Sequence, residues 1–286
     1  RIEPFPGGTP GNLRLVEEGR LPDYDVVGTR PIRHDGTDKV TGRARYGADI
    51  SMPGLLHGKI LRSPHAHAVI KSIDAAKALA LSGVKAVVTS ADLPVLSGRP
   101  VDVAEGSPLN PRFLSNNVLA ADKALYKGHA VAAVAADSVH TAEAALSLIE
   151  VDYEVLTPVL DGKEAMEPDS PILHDRLFRS EGEFFRPGGL RDDDDDSVPT
   201  NIASHFVYEL GDPDQGFKEA DVVVEREFRT KPIHQGYIEP HSATVRWDRD
   251  GRVTVWGSSQ GHFAIRDFTA LVLGIPISQV KVIPME

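Results

Sequence analysis

Two histidines and a glutamate, His234, Glu239 and His241, fall within eight residues of one another in HQGYIEPHSATVRW, which runs from His234 to Trp247. Three chemistries could use them: a metal site, a general acid/base cluster, or a polar bend whose side chains satisfy backbone. A zinc site of the helical kind needs two histidines one turn apart with the glutamate beside them. Here the histidines are seven positions apart, Gly236 intervenes, and Pro240 follows Glu239 directly. A proline restricts the residue before it to extended geometry, so the three side chains cannot share a helix face. The stretch therefore predicts a bent loop feeding a strand, and no metal ligands are assigned to it.

Other candidate groups are sparser. His65 and His67 in SPHAHAV would share one side of a strand, but no third ligand lies near them in sequence, which favours core or surface roles. SSQGHF, from Ser258 to Phe263, puts polar groups and a glycine where a strand ends and a helix starts. Helix N-termini offer unpaired N–H groups to anions, and Gln260 could donate or accept beside them. The segment is a candidate pocket rim. Asp192 to Asp196 form a homopolymeric acidic run. Calcium loops need ligands at alternating positions around a glycine turn, so the run reads as a solvated connection. No Ser-His-Asp arrangement, P-loop or nucleophile elbow is present.

The elements that must position these groups are limited by composition. The chain has 286 residues, 41% of them hydrophobic and 26% charged, enough for one large or two medium domains. A formal net charge of −11 argues against nucleic-acid partners, which select basic surfaces, and against anionic membranes. There are no cysteines, which excludes disulfides, thiolate nucleophiles and thiolate-held clusters on this chain. No apolar run approaches the ~20 residues of a membrane span. RIEPFPGGTPGN lacks the apolar core of a signal peptide, so the expected compartment is the cytoplasm.

Along the chain, residues 1–25 read as an extended arm rich in proline and glycine. From Val26 to Ile50, short β-prone pieces alternate with turns such as Asp35-Gly36 and Thr41-Gly42. Leu55–Ser63 and His67–Ile73 alternate as strands do, Asp74 caps a predicted helix from Ala75 to Ser82, and VKAVVTSADLP returns as a strand. A second unit follows: a small-residue strand in HAVAAVAADS, a helix capped by Asp137 or Ser138, and a strand in VDYEVLTPVL. That helix should present Val139, Ala142, Ala145, Leu146 and Ile149 on one face. Residues 161–204 read as a linker. Beyond it come a hairpin around Asp250-Gly251, a helix carrying Phe263, Phe268, Leu271 and Val272 that stops at Gly274, and a last strand in VKVIP.

Several of these stretches together resemble the large, molybdenum-binding subunit of the xanthine dehydrogenase/aldehyde oxidase family, the molybdenum hydroxylases. They are VGTRPIRHDGTDKVTGRARYGADI, LLHGKILRSPHAHAVIKSID, GVKAVVTSADLP and LAADKALYKGHAVAAVAADSVHTAEAALSLIEVDYEVLTPVLD. In the second half, Asn201-Ile202, GDPDQGFKEADVVVEREF, HQGYIEPHSATVRW, VTVWGSSQGHFAIRDFTALVLGIP and VKVIP continue it. The resemblance implies an α+β fold: an α/β hammerhead domain over 26–160, then, after the linker, the beginning of a molybdopterin-binding domain over 205–286.

In that family molybdenum is held by the dithiolene of a pterin, which reconciles a metalloenzyme with a chain that offers no thiolate. The family glutamine beside an oxygen ligand of molybdenum corresponds to Gln260, with Gly261 close by on the backbone. Glu239 and His241 correspond to positions that shape the pocket floor behind the cofactor. The family's catalytic glutamate and its glycine-rich cofactor loop have no counterpart before Glu286, so the expected chain is an N-terminal fragment or one half of a split subunit. The implied reaction oxidises an aldehyde, an N-heterocycle or a related small molecule with oxygen from water. Electrons would pass to 2Fe-2S clusters and FAD on partner subunits, and the remainder of the molybdenum subunit would be a further partner. A carbon monoxide dehydrogenase or hydroxybenzoyl-CoA reductase is equally compatible. The rival from another class is a scaffold module that binds no cofactor.

Overall fold

A computed structural model describes residues 29–98, 101–102, 108–175, 180–181, 199–202, 204–205 and 210–286. The arm over 1–25 and the acidic run Asp192–Asp196 lie outside the described residues. Two compact units are present, residues 1–44 and 45–286.

In the first unit the turn signals produce a helix, α1 (Gly36–Thr41), where short β-prone pieces were expected. Asp35 explains the difference. Its carboxylate takes the Arg33 guanidinium and the Lys39 ammonium, the latter at 3.2 Å and one helical turn away, which supports a helical turn over this stretch. Gly42 closes the helix at φ +72°, donating its N–H to Lys39 O.

In the second unit, β1 (His57–Arg62) and β3 (Val84–Thr89) both pair antiparallel with β5 (Ala130–Ala136), giving the order β1-β5-β3. β2 (Ala68–Asp74) pairs antiparallel with β4 (Lys123–Ala124) and β6 (Glu150–Val155) in a second sheet. The two strand-containing units of the sequence are thus not separate modules. Each contributes strands to both sheets, and β5 and β6, which flank one helix in sequence, lie in different sheets. Local periodicity cannot reveal such exchange, because it sets which face of a strand is buried and not which neighbour it takes. The alanines of β5 are consistent with its central place: Ala132, Val134 and Ala136 are buried, and α4 (Val139–Leu146) packs on them through Ala142 and Ala145. Ser138 is the N-cap, accepting the Thr141 N–H at 3.0 Å. Val139, at the first helical position, is 44% exposed and does not belong to the buried face.

The helix expected over Ala75–Ser82 is a single turn, α2 (Ala76–Leu79). Asp74 does bind the Ala76 N–H at 2.9 Å, but as the last residue of β2, and Gly83 at φ +95° redirects the chain into β3. α3 (Pro111–Val118) starts at Asn110, whose side chain accepts the Phe113 N–H. In the expected linker, Asn201 clamps the stretch before it: its amide donates to Ala165 O and Pro171 O and accepts from Leu173 N.

α5 (Pro213–Glu219), capped by Asp212, precedes a stretch without regular structure that reaches Ser242. β7 (Ala243–Trp247) and β8 (Val253–Gly257) then form the hairpin, with Gly251 at φ +86°. α6 (His262–Leu273) crosses back so that β9 (Val280–Pro284) pairs parallel with β8, giving the order β7-β8-β9. Val253, Val255 and Val280 form a small core with Ala270 of α6. Phe263 is 69% exposed, whereas the expected Val272 is buried, together with Ala270. Among the described residues, no helix is long and apolar enough to cross a membrane.

Candidate functional site

The end of the sheet β7-β8-β9 is where the sequence-predicted groups meet. β8 stops at Gly257, and Ser258, Ser259, Gln260 and Gly261 lead into α6. The irregular stretch before β7 runs alongside. Tyr237, Glu239, His241, Ser258 and Gln260 line one cavity of about 400 Å³. The fold therefore brings Glu239, His241 and Gln260 together, although some twenty residues separate them in sequence. Gly261 stands at the helix start, its N–H donated to Ser259 Oγ at 3.0 Å.

The bend is built as Gly236 and Pro240 predict. Gly236 takes φ +67°, open to glycine with little cost, and donates its N–H to His234 Nδ1 at 3.0 Å. Tyr237 and Ser242 join them without having been singled out in the sequence, whereas Ser258 belongs to the rim predicted there. Tyr237 Oη lies 2.7 Å from His241 Nε2. Ser258 Oγ lies 3.2 Å from Glu239 Oε1 and 2.7 Å from Glu286 O. With one hydroxyl proton, Ser258 donates most strongly to the nearer carbonyl. Ser242 bounds the cavity where β7 begins. Tyr237 sat inside the motif that attracted attention, but only the fold shows the bend that brings it onto His241.

The donor set suits a group that brings its own metal ligands. Among the described residues, no cluster of three His, Asp or Glu could hold a metal ion. α6 begins without a side-chain cap, so its first-turn N–H groups are open to an external acceptor. His262 Nε2, in that first turn, is buried with no hydrogen-bond partner. The exposed Gln260 carboxamide lies two residues before it in sequence. Surplus donors and one nearby carboxylate fit an oxygen-bearing, anionic cofactor better than a bare cation.

The two earlier histidines lie outside this cavity, and His67 Nε2, like His262 Nε2, is buried without a partner. His67 is buried with Nδ1 2.8 Å from Thr157 O, and His65 sets its ring edge-on to Tyr153. A second cavity, of about 360 Å³, is lined by Phe113, Tyr126, His129 and His174 among others. There His129 stacks on Tyr126 with ring centroids 4.4 Å apart. Burial lowers the pKa of His129 and of His174 below the ordinary imidazole value.

Comparison with known proteins agrees with this architecture. Residues 41–157 match the family described as "Aldehyde oxidase and xanthine dehydrogenase, a/b hammerhead domain", and residues 195–286 match the "Molybdopterin cofactor-binding domain". The carbon monoxide dehydrogenase large chain of Afipia carboxidovorans is 35% identical over 85% of this chain and 28% of its own length. The nicotinate dehydrogenase large molybdopterin subunit of Eubacterium barkeri is 31% identical over 91% of this chain and 54% of its own. A solved structure of reconstituted CO dehydrogenase from Oligotropha carboxidovorans superposes with a TM-score of 0.71 at 33% identity, covering 91% of this chain and 30% of that one. The chain belongs to the xanthine dehydrogenase/aldehyde oxidase family of molybdenum hydroxylases, and carries its hammerhead domain and the start of its molybdopterin-binding domain. It spans between about a quarter and just over half of the length of these relatives.

Proposed function

We propose that this chain forms part of a molybdenum hydroxylase that oxidises an aldehyde, an N-heterocycle or a related small molecule. The observation that carries the reading is the convergence of Gln260, Glu239 and His241 on one cavity at the uncapped start of α6. Molybdopterin, when bound, supplies two-electron oxidation at molybdenum with oxygen drawn from water.

The residues of this chain then have restricted roles. The Gln260 carboxamide donates and accepts hydrogen bonds, orienting the cofactor's polar face without transferring a proton. The open first-turn N–H groups of α6, which follow Gly261, provide fixed positive partial charge at no cost of reorganisation. Glu239, beside the Ser258 hydroxyl, and His241, tied to Tyr237, set the wall behind them. Such supporting contacts orient the groups that touch a cofactor and tune them. No glutamate of this chain is assigned as the catalytic base, so that group comes from the remaining part of the molybdenum subunit. Electrons leave through an iron–sulfur subunit and an FAD subunit, in the cytoplasm.

Metal analysis tests the reading. The chain purified alone should hold negligible molybdenum, because most pterin contacts come from outside it, whereas the complex with its neighbouring subunits should hold close to one molybdenum per chain. A complex free of molybdenum would instead assign the chain to a scaffold role.

A further inference from the structure

We infer that Gly47 is a positioning residue for the cavity at the end of β7-β8-β9, setting where Ser242, and through it His241 and Glu239, stand relative to Gln260. This rests on the reading of that cavity as the cofactor pocket.

The contact is made by the absence of a side chain. Gly47 is buried, and a Cβ on it would lie 2.7 Å from Ser242 Oγ and 3.2 Å from Ser242 O. Its φ is not positive, so space and not backbone conformation demands glycine here. Ser242 links His241 to the first residue of β7, and its carbonyl would stand 3.6 Å from a Cβ on Gly257, at the end of β8. Ser242 therefore runs between two glycines, and on the Gly47 side its carbonyl as well as its hydroxyl would have to give way to a Cβ.

The segment carrying Gly47 is itself anchored. Tyr46 N donates to Asp49 Oδ2 at 2.9 Å and Asp49 N donates to Tyr46 O at 2.9 Å, closing a one-turn 3₁₀ helix over Gly47–Asp49. One residue before Tyr46, Arg45 O accepts the Glu286 N–H at 3.1 Å. Glu286 O in turn accepts from Ser258, whose hydroxyl also lies 3.2 Å from Glu239 Oε1. Residues 45–49 thus brace the open end of the sheet from two directions, through Glu286 and through Ser242. They belong to the part of the chain that matches the hammerhead domain, whereas the cavity they brace lies in the part that matches the cofactor domain.

Because packed groups shift rather than compress, Gly47→Ala should displace Ser242 by a few tenths of an ångström. Misplacement of that size at a reacting site costs on the order of tenfold in rate. The test uses the assembled enzyme, with Gly58→Ala as control, since a Cβ at Gly58 meets nothing within 4 Å. Gly47→Ala should lower kcat about tenfold, leave molybdenum content near that of the parent and alter the molybdenum EPR signal. Adding Ser242→Ala, which removes the 2.7 Å contact and leaves the 3.2 Å one to the carbonyl, should recover part of the lost kcat, or restore assembly if the single variant does not assemble. The inference is overturned if Gly47→Ala behaves like Gly58→Ala, or if Ser242→Ala rescues neither rate nor assembly. A crystal structure of the Gly47→Ala variant separates the two readings. A displaced Ser242 in a protein that holds no molybdenum sinks the cofactor reading alone, and an undisplaced Ser242 in a loaded enzyme sinks this one alone.

Discussion

Tyr237 holds His241 through a 2.7 Å contact between Oη and Nε2, and its ring lies between two imidazoles, 5.3 Å from His234 and 5.2 Å from His241. Residues four apart meet here without a helix because Gly236 bends the chain before them and Pro240 between them. The aromatic contacts supply packing, while the hydroxyl fixes the imidazole's rotation.

Tyr237→Phe separates these contributions, since it keeps the ring and deletes the hydroxyl. The loss of one hydrogen bond, about 0.5–1 kcal/mol, predicts a fall in kcat of roughly two- to fivefold in the assembled enzyme. Molybdenum content should not change. A variant with parental kinetics would remove His241 from the positioned wall of the cavity.

Gln260→Ala removes the carboxamide from the cavity and leaves the open start of α6 in place. It should lower kcat by tenfold or more, or lower molybdenum retention, because a donor aimed at a charged group is worth about 1.5–3 kcal/mol. Parallel assays of turnover and metal content check this. Unchanged values for both would end the assignment of Gln260.

Much of this architecture could be read from the chain because its signals are local. The strands near His57 and Ala130, the Ser138 cap, the hairpin at Asp250-Gly251 and the stop at Gly274 each depend on neighbours in sequence. What could not be read depends on distance along the chain. The exchange of β5 and β6 between sheets and the Ser258–Glu239 contact join residues with no mutual signal. The role of Gly47 against Ser242 is of the same kind, since a missing side chain marks a close approach without saying to what. α1 was missed because Asp35-Gly36 reads as a turn unless its ion pair with Lys39 is known. The resemblance of motifs pointed to Gln260, Glu239 and His241, and physical reading alone would have stopped at a polar rim near Ser258.

Gly83 and Gly58 offer a matched pair for stability. Gly83 has φ +95°, and a Cβ there would lie 2.6 Å from Asp137 Oδ1, while Asp137 N donates to Gly83 O. Backbone strain alone costs about 1–3 kcal/mol at such a φ, and the carboxylate must also move. Gly58 sits in β1 with open space around it. Gly83→Ala should lower the denaturation midpoint markedly, and Gly58→Ala should leave it level or slightly raised. Equal midpoints for the two variants would mean that the Gly83 turn relaxes freely.

His129 makes a prediction about acid. It is 1% exposed, its Nδ1 accepts the Leu125 N–H at 3.2 Å, and its Nε2 lies 3.0 Å from Asn116 O. That pattern requires a neutral ring with the proton on Nε2, because a proton on Nδ1 would face the Leu125 N–H. Burial is the main cause of its lowered pKa, against the opposing pull of backbone carbonyls at Asn116 and Asn117. His174 is shifted the same way by burial. Above about pH 6.5 folded and unfolded states both hold these rings neutral, so their contribution to stability is level. As pH falls below that value the unfolded chain takes up protons that the folded one refuses. Stability is then lost, at a limiting slope of about 1.4 kcal/mol per pH unit for each histidine, until the folded pKa is reached. The carboxylates of Asp35, Glu143 and Asp161 are held below the usual range and titrate further down. Urea unfolding between pH 7.5 and 5.5 therefore isolates the imidazoles. His129→Gln should be less stable throughout but lose part of the slope, and an unchanged slope would show that His129 takes up its proton as readily folded as unfolded.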